Sequence, residues 1–211
     1  MKKSKKEFEQ RAFEFEVRAE KSERGYIITG RPIVYEQYTD MGWYREIIER
    51  GALDGCDMTD VRFLVNHDTK MIPLARSRRN NGNSTMQLST DYDGLNMDYV
   101  TLDVEKNATA SELYSAVERG DISGMSFMFT IDGDEWEDLE SDYPTRKIKR
   151  IGKVIEVSAV TFPAYEQTTI SARSKEVLDN ARAALENARK IERSKSPEGD
   201  IDLLKLKIKM M

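Results

Sequence analysis

Alternating apolar and charged residues, turn signals at short intervals and one well-punctuated helix point to a β-rich α+β fold. It would be a single domain on a mostly antiparallel sheet or barrel, with a few helices and a helical C-terminal tail. In order, Phe13, Phe15 and Val17 alternate with Glu14, Glu16 and Arg18, the period of a half-buried strand, while residues 1–11 are charged and read as a loose arm. Tyr26 to Tyr35 reads as a second strand after the Arg24-Gly25 turn, with Pro32 at an edge or bulge. Trp43 to Leu53 mixes apolar and charged residues and reads as a short helix or loop. Val61, Phe63 and Val65 form the next alternation, with His67 on the same parity.

Met71 to Ala75 is a short extended piece, and Arg76 to Thr85 a polar turn. Met86 to Thr90 and Leu95 to Leu102 pair as a hairpin through Asp91-Tyr-Asp-Gly94. The helix runs from Ala110 to Arg119, with Thr109 as N-cap, Glu112 closing a capping box and Gly120 as the stop. Strands return at Ser126–Ile131 and Lys153–Phe162, enclosing an acidic run, Asp132 to Asp142, with seven acids in eleven residues, and a basic run from Arg146 to Arg150. The acidic run reads as a solvated hairpin excursion rather than a calcium or magnesium loop, because it lacks ordered ligand spacing and Trp136 and Leu139 interrupt it. After Ser174 the spacing of Val177, Leu178, Ala181, Ala184, Leu185 and Ala188 is helical, and Ser194 to Gly199 is a linker. The division is therefore an arm at 1–11, a main domain at 12–173 and a helical or linker tail at 174–211.

Composition narrows function. The 211 residues carry a net charge of −5, one histidine and one cysteine. Such an acidic chain does not suit a general nucleic-acid binder, which neutralises many phosphates. One His and one Cys cannot build the usual zinc site, and no cofactor is implied. A lone Cys56 forms no internal disulfide and suits a reducing compartment, and its neighbours Asp54 and Asp57 disfavour a reactive thiolate. No apolar stretch has membrane-spanning length. The scarce chemistry that remains falls in three places.

His67 ends an apolar strand in Asn66-His67-Asp68, where a base near neutral pH is useful. In Lys153–Phe162 both faces are mainly apolar, so the strand is expected to be central, with Glu156 withdrawn from water. A buried carboxylate needs a partner, and an imidazolium or a basic side chain from a neighbouring strand would serve equally. Ser126 follows the Gly120–Gly124 turn by two residues, on a strand whose other parity carries Met125, Phe127 and Phe129. Ser123, inside the turn, suits a hydrogen bond to its own backbone. Together His67, Ser126 and Glu156, spaced by 59 and 30 residues, supply a base, a nucleophile and an orienting acid, the logic of serine acyl transfer. Composition alone does not establish that they converge.

The stretches Asn66-His67-Asp68, Gly120-Asp-Ile-Ser-Gly-Met-Ser-Phe127 and Glu156-Val-Ser-Ala-Val-Thr-Phe-Pro-Ala-Tyr165 resemble those of the tailed-phage prohead maturation proteases, related in fold to the herpesvirus capsid-maturation proteases. Gly30 to Tyr35 and Arg50-Gly51-Ala52 resemble the N-terminal half of that family, and the likeness spans about Phe13 to Arg173. Where the family tends to show Leu-Gly-Arg after the histidine, this chain has Leu74-Ala75-Arg76. The resemblance implies a herpesvirus-protease-like fold and a serine endopeptidase with His67 as base, Ser126 as nucleophile and Glu156 as third member; Arg76 is expected to assist the oxyanion. It implies cleavage of scaffold and major capsid protein inside the assembling procapsid in the bacterial host cytoplasm, self-processing, and a homo-oligomer, with no nucleic-acid or membrane partner. The alternatives are a non-enzymatic scaffold or assembly protein keeping the same fold, and a carboxylate-metal nuclease, which the acidic charge and the lack of a compact acidic cluster disfavour.

Overall fold

A computed structural model describes residues 8–14, 17–162 and 175–195, with side chains at 13–14, 175–178 and 195 left aside. The elements in order are β1 (Glu9–Glu14), β2 (Arg18–Ser22), β3 (Gly25–Val34), β4 (Thr39–Asp40), β5 (Arg45–Ile48), β6 (Asp60–Val65), β7 (Ala75–Arg78), β8 (Met86–Asp91) and β9 (Gly94–Leu102). Then come α1 (Ala108–Glu118), β10 (Gly124–Glu137), β11 (Thr145–Val160) and α2 (Lys175–Lys195). Among the described residues two sheets form, one of seven strands and one of four in the order β2-β3-β9-β8, and neither closes into a barrel.

The larger sheet is mostly antiparallel, as expected, with parallel pairing only where β11 meets β5 and β6. β11 is long enough to take β5 along its first half and β6 along its second, so it is the central strand that its two apolar faces require. The core lies between the two sheets and under α1, with Ile28, Ile33, Phe63, Met97, Phe127, Phe129 and Val157 fully buried or nearly so.

Several expectations hold in detail. The β8–β9 hairpin turns at Asp91–Gly94, and the β3–β9 register shifts between Gly30 and Ile33, around Pro32. Gly120 takes φ +78° just past α1, as a helix stop does. Others change. The cap of α1 is Asn107, whose side chain accepts the Ala110 N–H at 3.2 Å, two residues before Thr109; Asn outranks Thr at that position. Trp43–Leu53, read as helix or loop, contains strand β5 followed by turns. Of the arm assigned to 1–11, Glu9 to Arg11 belong to β1.

The acidic run spans the outer half of β10 and the turn after it, and the basic run lies in the outer half of β11, folded back on it. Asp134 pairs with Arg146 at 2.7 Å, Glu137 with Lys147 at 2.6 Å and Glu135 with Lys149 at 2.9 Å. The solvated hairpin reading is thereby met. α2 rests Ala181 and Leu185 against Met41, Tyr44 and Trp136. Of the linker expected at Ser194–Gly199, Ser194 and Lys195 are the last residues of α2, and the rest lies outside the described residues.

Candidate active site

Three strands meet where the sequence places its scarce chemistry. Ser126 on β10 stands directly opposite Ser158 on β11, and Met128 opposite Glu156, so Ser126, Ser158 and Glu156 share one face. On the other side of β11, β6 runs parallel, with Leu64 beside Ser158 and Val65 beside Ala159. His67 emerges just past the end of β6, level with that face.

The chain turns there through two consecutive residues in the left-handed region, Asn66 at φ 51° and His67 at φ 58°. Outside glycine this conformation is uncommon, and asparagine tolerates it best. It is fixed from both sides. The Asn66 amide N–H donates to the Ala159 carbonyl at 2.9 Å. Its side chain donates to Thr161 Oγ1 at 3.0 Å and accepts the Thr161 N–H at 2.9 Å. A strained backbone held by its surroundings is a usual mark of a working site. Here it swings the imidazole off the strand direction and over β11.

The ring then bridges two partners. Nδ1 lies 2.5 Å from Glu156 Oε1, and Nε2 lies 2.5 Å from Ser126 Oγ. Glu156 and Ser126 are sealed from solvent, while the His67 side chain keeps 17% exposure. Glu156 therefore pairs with the imidazole and not with a basic side chain. Its other oxygen, Oε2, accepts from Ser158 Oγ at 2.5 Å, and Ser158 Oγ in turn accepts the His67 backbone N–H at 3.3 Å. Ser158 thus ties the acid and the imidazole-bearing turn together. Its place on the Glu156 parity was visible in the sequence; its contact with the His67 amide was not, because that depends on the β6–β11 register.

Ser126 Oγ has a further neighbour, the Arg11 carbonyl of β1, at 2.7 Å. One hydroxyl proton serves either that carbonyl or the His67 nitrogen at any instant. Arg76 lies on β7, opposite Arg62 of β6, and its guanidinium grips Asp60 through Nε at 2.6 Å and Nη2 at 2.8 Å. Cys56 is half-buried, and burial pushes its thiol up to about 11, away from thiolate chemistry. Among the described residues no group of acids, His or Cys is arranged to hold a metal.

A family model described as caudovirus prohead serine protease matches residues 13–182. The chain belongs to that family. The match covers β2 to β11 and reaches into α2. No curated protein and no solved structure matches the chain. Membership makes the chain a peptidase of phage prohead maturation. No helix among the described residues is long and apolar enough to cross a membrane.

Proposed function

We propose that this prohead protease cuts peptide bonds with Ser126 as nucleophile, His67 as general base and Glu156 as the acid that orients the ring. The observation that carries the reading is the unbroken chain of contacts Ser126–His67–Glu156, with both outer members buried. His67 Nε2 takes the hydroxyl proton as Oγ attacks the scissile carbonyl carbon, giving a tetrahedral adduct and an imidazolium held by Glu156. The imidazolium returns that proton to the leaving amine as the C–N bond breaks. Water, deprotonated by the same nitrogen, then releases the acyl group and restores Ser126. Ser158 fixes Glu156 so that Nδ1–H has one acceptor and Nε2 keeps its lone pair toward the serine. For Arg76, expected at the oxyanion, the Asp60 pair supports bracing of β7 against the start of β6 instead.

The substrates of this reading are the scaffold and major capsid protein within the procapsid, and the acting form is a homo-oligomer that processes its own tail, in a fold of the herpesvirus-protease kind. Membership of a prohead protease family supports the capsid-protein part of this reading. The main domain at 12–173 and tail at 174–211 belong to the same proposal.

Co-expression with the matching major capsid protein tests it. The wild-type chain shortens the capsid protein, whereas Ser126→Ala leaves it full length, a loss of roughly 10⁴-fold or more, with an unchanged circular dichroism spectrum. Capsid protein left whole by the wild-type chain would favour the non-enzymatic assembly reading. Cutting by Ser126→Ala at the wild-type rate would remove the triad.

A further inference from the structure

β1 forms the outer edge of the larger sheet, antiparallel to the strand that bears Ser126. In its register Ala12 stands opposite Ser126 and Arg11 opposite Phe127, so the bond between Arg11 and Ala12 lies across the serine. The Arg11 carbonyl accepts from Ser126 Oγ at 2.7 Å, the same oxygen that His67 touches. A strand laid on a sheet edge is a common way to hold an extended peptide, with backbone hydrogen bonds for grip and side-chain pockets for selection.

The Arg11 side chain supplies the pocket. Its guanidinium is buried and bound by both carboxylate oxygens of Glu46, through Nε and, at 2.7 Å, through Nη2. It also lies 5.5 Å from the centre of the Phe129 ring. Glu9, which joins the same guanidinium, is part of β1 and would leave with it. Glu46 belongs to β5 and would stay, with Arg146 Nη1 3.4 Å away as its remaining partner. Beside it the Tyr44 hydroxyl is buried without a hydrogen-bond partner. A fixed, buried carboxylate beside the Phe129 ring suits a forked cation.

We propose that β1 lies in the groove that receives peptide substrates, and that Glu46 makes the protease cut after a basic residue. This deepens the serine-protease reading and rests on it. A substrate strand replaces β1 along β10, places its own carbonyl where that of Arg11 lies, and sends the preceding side chain to Glu46.

Extended peptides identical except for Arg, Lys, citrulline or Glu before the scissile bond, offered to the full chain, provide the test. The Arg and Lys peptides should show kcat/KM about tenfold or more above the citrulline and Glu peptides, and Glu46→Gln should shrink the Arg-to-citrulline ratio several-fold. Arg11→Ala, which loosens β1, should raise hydrolysis of the Arg peptide by lowering KM. Equal rates across the peptides, or an unchanged ratio in Glu46→Gln, would overturn the selection by Glu46. A fall in hydrolysis with Arg11→Ala in a folded protein would mean that β1 is a permanent wall of the site. Capsid protein cut only after non-basic residues would overturn this inference while sparing the protease reading. If the wild-type chain cuts no capsid protein or peptide, and a fluorophosphonate leaves Ser126 unlabelled, both go together.

Discussion

The inner and outer halves of the β10–β11 hairpin are made of the same two strands, yet they solve opposite problems. In the inner half, from Gly124 to Ile131 against Ile151 to Val160, apolar side chains fill the core, and the buried Ser126, Glu156 and Ser158 side chains are hydrogen-bonded. In the outer half, acids of β10 face bases of β11 across the ladder, partly in water. A carboxylate is costly to strand in the first setting and replaceable in the second. Glu156 and Glu135 are the same residue type on adjacent strands of one hairpin. Only the buried one has its geometry over-determined, by His67 and Ser158 together.

That contrast can be broken in order of effect. Glu156→Gln keeps the shape but loses the charge that favours the imidazolium, so kcat should fall by about 10³–10⁴-fold, with little change in KM. Steady-state kinetics on a peptide substrate checks this. Phe127→Ala empties a fully buried site beside Phe129 and should cost about 3–5 kcal/mol of stability, read by chemical denaturation. Ser158→Ala removes the hydroxyl shared by Glu156 and the His67 amide, and kcat should drop about tenfold, with Ser158→Thr restoring part of it if the hydroxyl is what matters.

Lys149→Ala, in the outer half, should have the smallest effect. The hydrogen bond from Lys149 holds the Glu135 carboxyl below its ordinary 4.5. A carboxyl whose folded value is lowered stabilises the fold above its unfolded value, and that contribution fades as pH falls through the folded one. The unfolding midpoints of Lys149→Ala and wild type should therefore differ slightly near neutrality and coincide in strong acid.

How far the sequence could be read depended on the range of the interactions involved. The β8–β9 turn and the Gly120 stop were legible because a few adjacent residues determine them. The central place of β11 was legible too, since burial of both faces leaves a continuous apolar run. β1 and β5 were not. Arg11 and Glu46 break the apolar pattern of their strands, and each is buried because partners from distant strands, above all the other, thirty-five residues away, neutralise it. Locally such residues look solvated. The cap of α1 was missed because Asn107 and Thr109 both offer capping oxygens within three residues. His67, Ser126 and Glu156 stood out by type and scarcity, but their meeting depends on two registers, β10 on β11 and β6 on β11, that no single segment encodes.

The clasp between Asn66 and Thr161 joins the turn carrying the imidazole to the far end of the strand carrying the acid. Both are held in place only where the last residues of β11 lie beside β6. If His67, Ser126 and Glu156 are the proposed catalytic set, a copy whose β6 and β11 have not paired holds them scattered and inert, and cutting begins only with the finished sheet.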